Sequence, residues 1–121
     1  KMIEFMDEST EKYMGIRISG KLTDTDYKDV LIPRLEKAFR EAGKLDLLVY
    51  MDEGFEGWDA HAAWDDMTFG LEHAADFDKL AVVGGPKWVE WCIKTCGFLF
   101  KGEVRTYPVG SLEKAWEWVA G

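Results

Sequence analysis

Between Leu45 and Met51, six of seven positions are apolar and one, Asp46, is acidic, which predicts a short strand buried on both faces. Successive residues alternate sides, so Leu47 and Val49 serve one face of a sheet while Leu48 and Tyr50 serve the other. The period then changes. Gly54 and Gly57 break the run from Asp52 to Asp59, which reads as a loop, and helical spacing takes over from Asp59 to about Ala75. In that helix Ala60, Ala63, Trp64, Met67, Leu71 and Ala74 share one face, predicted to be the core face. Phe69 falls nearly opposite, with Ala62 and His73 beside it, and is expected to form an outward contact.

The flanking segments extend this strand-loop-helix unit. Met2 to Asp7 and Tyr13 to Ser19 are two short apolar runs; Met14, Ile16 and Ile18 alternate with polar or small residues, as in a half-buried edge hairpin that Gly20 ends. Thr23 to Asp26 opens a helix with acids in its first turn. Tyr27, Val30, Leu31, Leu35, Ala38 and Phe39 keep its inner face until Gly43, and Pro33 predicts a kink or restart. Leu80 to Val83 is a further strand closed by Gly84-Gly85, and Pro86 starts a helix reaching about Cys96. Glu103 to Tyr107 makes the last strand. Ser111 caps a final helix carrying Leu112, Ala115, Trp116 and Val119.

Alternating strands and helices imply crossovers, so the expected fold class is α/β: a single domain over 1–121 with a five-stranded mixed sheet. An antiparallel edge hairpin leads into a parallel (βα)n core with about four helices. Right-handed crossovers put the three connecting helices on one face. The last helix, a partner subunit or an apolar ligand then covers the other.

Charge narrows the partners. A net charge of -8 and a pI near 4.7 exclude a nucleic-acid binder, which needs a basic face, and oppose attraction to anionic membrane. With no run of 18 apolar residues and no secretory signal, the expected location is cytoplasmic and membrane contact at most peripheral. Cys92 and Cys96, one helical turn apart, read as reduced packing residues.

The segments Thr25-Asp-Tyr27, Gly54 to Asp59, Trp64-Asp-Asp66, Asp76-Phe77 and Lys79 to Gly84 together resemble the SpoIIAA-like family of small bacterial proteins. Trp88, Val104-Arg-Thr-Tyr107 and Ala115-Trp-Glu-Trp118 fit the same pattern, so the resemblance spans essentially the whole chain. It implies a fold similar to the STAS domain and, more distantly, to CRAL-TRIO lipid-binding domains. Regulators of the anti-sigma-antagonist type carry a phosphorylatable Ser near the loop after the central strand. Here Asp52 to Ala60 holds neither Ser nor Thr, so that switch does not carry over.

Several side chains are candidates for chemistry. His61 and Asp65 are spaced i, i+4, with Asp66, Glu72 and His73 further along the helix. One helix brings at most two of these to a point, so no metal site and no cofactor is expected. Ser9, Ser19 and Ser111 have no nearby His, and the expectation is that the protein is not an enzyme. Gly84-Gly85-Pro86-Lys87 joins a strand to a helix start, where free amides and a Lys suit an anionic group, though neither nucleotide fingerprint is present. Trp58 and Trp88 follow neighbouring parallel strands and, with Phe55, are placed to line an apolar cleft. The expected ligand-binding residues are therefore Phe55, Trp58, Gly84, Gly85, Lys87 and Trp88, with Phe69 and His73 as an interaction face. The expected function is non-enzymatic binding of a small apolar or amphiphilic, lipid-like ligand. The alternative is a STAS-like regulatory module acting on a protein partner or as a homodimer.

Overall fold

The computed structural model describes residues 3–6 and 13–121. Five strands form one sheet in chain order: β1 (Ile3–Phe5), β2 (Tyr13–Leu22), β3 (Leu45–Trp58), β4 (Phe77–Gly84) and β5 (Glu103–Tyr107). The β1–β2 pair is antiparallel and every later pair is parallel, so the mixed α/β sheet expected from the alternation is the one formed. The outer residues of the first predicted strand, Met2 and Asp7, and the turn after it lie outside the described residues.

Four helices complete the fold: α1 (Ile32–Ala42), α2 (Ala60–Glu72), α3 (Lys87–Cys96) and α4 (Leu112–Ala120). The segment before α1 is wound more loosely, as a π-helix over Asp26–Leu31, and α1 restarts with Pro33 in its first turn. Pro33 supplies no backbone N–H, and a helix start is where that loss costs least. One face of the sheet packs Ile16, Leu22, Leu45 and Leu47 against Leu31, Leu35 and Phe39 of the first helical segment and Ala62 and Phe69 of α2. On the other face Leu48, Ala81 and Val83 meet Ala115 and Val119 of α4, all at most 1% exposed. The last helix therefore covers the second face. It sits close: a Cβ on Gly15 would lie 2.6 Å from Cη2 of Trp116.

Two expectations are corrected here. The run Asp52 to Trp58 is not a loop but a continuation of β3, because β2 also continues past Gly20 and pairs with it, Gly20 opposite Phe55 and Leu22 opposite Trp58. The glycines are accommodated by register shifts around Gly20 and do not end the strand. The second correction concerns α2, which presents the reverse face to the sheet. Ala62 and Phe69 are buried, whereas Trp64, Met67 and Leu71 are 64%, 48% and 56% exposed. Phe69 stacks near Phe39 and His73, and His73 lies flat on Phe39 with ring centroids 4.7 Å apart. Phe69 and His73 thus close the core at the end of α2, and Phe69 does not form an outward interaction face.

Asp46 explains itself in this frame. It is 5% exposed, and its Oδ1 accepts from the Lys79 backbone N–H at 3.1 Å, where the β3–β4 register slips between Leu45 and Leu47. The acid satisfies a backbone donor that the bulge leaves without its ladder partner.

Candidate functional site

Parallel strands deliver their C-terminal ends to one edge of the sheet, and an open cleft of about 590 Å³ lies across the ends of β3, β4 and β5. Met51 and Val82 contribute apolar surface, Phe55 lines it from β3, and Tyr107, Pro108 and Val109 line it from the chain after β5. The segment Gly84-Gly85-Pro86-Lys87 runs along it to the start of α3. Gly84 has φ +77°, and any Cβ there would collide with the Met51 carbonyl oxygen, so only glycine lets β4 turn this close to β3.

Four of the six predicted ligand-binding residues, Phe55, Gly84, Gly85 and Lys87, line this cleft. The other two stand beside it as a pair. The Trp58 and Trp88 rings are 5.2 Å apart at 60°, and Phe55 meets Trp58 edge-on at 5.0 Å. A continuous aromatic run thus leads from the cleft wall to α3, where Trp88 is 55% exposed.

The charges around the cleft differ from those expected. Lys87 is accompanied by Asp52, Glu53, Glu56 and Glu90. Two of these acids are already paired. Arg17 Nε donates to Asp52 Oδ2 at 2.8 Å, and Lys94 Nζ lies 3.2 Å from Glu90 Oε1. Burial works against ionising Asp52, but hydrogen bonds from Arg17, the Gly54 N–H and Ser19 hold its carboxyl below the usual range. Glu53 and Glu56 remain exposed. The field at the cleft mouth is therefore negative, with one lysine at its rim.

Behind the aromatic run lies a polar chain that spacing does not reveal. Trp58 Nε1 donates to Tyr27 Oη at 2.7 Å, and Tyr27 Oη donates to Asp66 Oδ1 at 3.0 Å. Tyr27 is 2% exposed, and burial together with the neighbouring Asp66 raises its hydroxyl pKa far above the ordinary value. Desolvation pushes the Asp66 carboxyl up, while the Tyr27 hydrogen bond offsets part of the shift. The three residues come from β3, the π-helical turn and α2, so the chain ties the aromatic run to two helices. Tyr27 and Asp66 are 39 residues apart in sequence. The one legible sign is that Asp66 shares the Ala62–Phe69 face, visible only once that face is known to be the inner one.

The polar residues of α2 have local roles. Asp59 caps the helix, its Oδ1 accepting from the Ala62 N–H at 2.7 Å. Asp65 and Asp24 share a hydrogen bond that raises the Asp65 carboxyl and lowers that of Asp24, with Lys28 3.3 Å from Asp24. His73 Nδ1 lies 2.8 Å from Asp76 Oδ2. Among the described residues no helix is long and apolar enough to cross a membrane.

Known proteins share this layout. No functionally curated protein matches the chain. A crystal structure of an uncharacterized protein of the DUF3478 family from Shewanella loihica PV-4, described as having a SpoIIAA-like fold, is similar with a TM-score of 0.75 and 28% identity. The match covers 97% of this chain and 91% of that one. The model of the SpoIIAA-like family matches residues 13–120, which include every strand of the parallel core and all four helices; the chain belongs to the SpoIIAA-like family.

Proposed function

We infer that this protein is a non-enzymatic binding domain for a small amphiphilic molecule with a single apolar tail. The observation that carries this reading is the meeting of Phe55, Trp58 and Trp88 with the Gly84–Lys87 turn at the edge of one cleft. Its volume falls within the range of about 300–1,000 Å³ typical of small-molecule sites. A tail of ten methylenes gains up to about 8 kcal/mol on burial, which leaves micromolar affinity after the cost of association. Glu53 and Glu56 disfavour a bare carboxylate head, whereas Lys87 and the Gly84–Gly85 backbone accept an anionic group balanced by a cationic one. The head group that fits is zwitterionic.

Fluorescence titration tests this with lysophosphatidylcholine, a fatty acid and an alkylammonium of equal chain length, each kept below its micelle concentration. The zwitterion should give a saturable change in indole emission, with the fatty acid weaker. Trp88→Ala, at an exposed position, should weaken binding by about 1–2 kcal/mol without loss of fold. Equal, unsaturable responses to all three amphiphiles would remove the basis for the reading.

A further inference from the structure

We propose that the outward face of α2 and α3 is a homodimer interface in which α2 of each copy lies on α3 of the other. The two helices leave the sheet side by side, since the Trp58 and Trp88 rings meet at their starts. They return side by side as well, the Lys101 N–H donating to the Ala74 carbonyl at 3.2 Å just beyond their ends. Their exposed apolar side chains are the candidate surface. It carries Trp64, Met67 and Leu71 from α2, and Trp88, Trp91 and Phe98 from α3 and the 3-10 turn after it, between 48% and 80% exposed. No residue of α3 is buried. With aromatic side chains of about 150–250 Å² each, the exposed apolar surface is on the order of 700 Å². That exceeds the largest patch of a typical monomer, about 300–600 Å², and approaches the roughly 800 Å² each partner gives to a standard interface.

Charge identifies the occupant as a second copy. α2 carries Asp65, Asp66 and Glu72 and neither Lys nor Arg; Asp65 and Asp66 are engaged within the chain, and Glu72 is the acid exposed beside the Trp64–Leu71 stripe. α3 carries Lys87 and Lys94 against a single Glu90, and both lysines flank the Trp88–Trp91 stripe. One apolar stripe is edged with acid, the other with base. A two-fold axis running along the helices sets the acidic edge of each copy on the basic edge of its partner, the self-complementary arrangement of a closed dimer. A membrane surface offers no such match, and an anionic one is opposed by the net charge of -8.

Sedimentation velocity of the intact chain at micromolar concentration should give a dimer. Trp91→Glu should raise the dimer Kd at least about a hundredfold and yield a monomer with an unchanged circular dichroism spectrum. Two charge reversals make the arrangement specific. Glu72→Lys alone and Lys94→Glu alone should each weaken the dimer several-fold at low salt, because each sets like charge on like charge twice. Mixing the two variants should restore it, since α2 of the first then faces an acid-edged α3 while its own α3 faces an unaltered α2. A monomeric wild type that instead floats with phosphatidylcholine vesicles would overturn the proposal. So would two variants that dimerise as well as wild type, or a mixture no tighter than its components.

Discussion

Replacing Tyr27 by Phe removes one oxygen atom and should cost this protein about 3 kcal/mol. The ring stays in place, so the apolar contacts around a residue 2% exposed are retained and no cavity larger than a hydroxyl opens. What is lost is the middle of the chain from Trp58 Nε1 to Tyr27 Oη at 2.7 Å and from Tyr27 Oη to Asp66 Oδ1 at 3.0 Å. The bond to Trp58 is neutral and contributes about 1 kcal/mol net; the bond to the carboxylate contributes about 1.5–3 kcal/mol. Trp58 is only partly buried and recovers some loss through water, which holds the total near 3 kcal/mol rather than higher. For a domain of this size each kcal/mol lowers Tm by about 4 °C, so a drop of roughly 12 °C is expected. Urea denaturation followed by circular dichroism gives the free energy directly, and a double-mutant cycle with Trp58→Phe isolates the Trp–Tyr bond at about 1 kcal/mol. A Tyr27→Phe variant within about 0.5 kcal/mol of wild type would refute the reasoning, because it would mean both partners reach water without the hydroxyl.

Other outcomes follow from the same geometry. Asp66→Asn should stabilise the protein at neutral pH and leave it unchanged in acid. The Asp66 carboxyl is held above its ordinary value of 3.8, so the folded state binds the extra proton and wild-type stability falls as pH rises through that window, a loss the amide avoids. Thermal melts across pH should show the two proteins diverge only above the ordinary carboxylate range. Gly15→Ala should cost about 1–3 kcal/mol, because the methyl has to displace Trp116 and with it α4; chemical denaturation reads the loss, and an unchanged midpoint would mean that α4 shifts freely. For the interface described above, Trp91→Glu should leave the unfolding free energy within about 0.5 kcal/mol of the wild-type monomer, read by urea denaturation, since that side chain is 66% exposed.

Much of the fold is legible in the sequence because periodicity and punctuation agree. The strand Glu103–Tyr107, the Gly43 cap, the restart at Pro33 and the cap at Asp59 each rest on a local rule that tertiary structure does not override. The errors have a common origin. Helical spacing places Trp64, Met67 and Leu71 on one face but does not decide whether that face turns inward, and hydrophobicity alone points the wrong way when the apolar stripe is an exposed one. Likewise Gly54 and Gly57 signal a break, yet β2 extends to Leu22 and supplies a partner strand for the run between them, information held 35 residues away. At the candidate site, topology predicts the proximity of Trp58 and Trp88, since loops after adjacent parallel strands emerge together. It does not predict the acids that share the cleft, because Glu53 and Glu56 read as loop charges until β3 is seen to carry them there.

The most direct test of the binding site is an amide proton–nitrogen correlation titration with a single-tailed zwitterionic amphiphile below its micelle concentration. Saturable shifts concentrated at the Gly84 and Gly85 amides and at the Trp58 and Trp88 indoles are expected, all fitting one Kd in the micromolar range. The absence of saturable shifts, or shifts that spare those four groups while other residues respond, would contradict the assignment of the β3–β5 cleft as the ligand site.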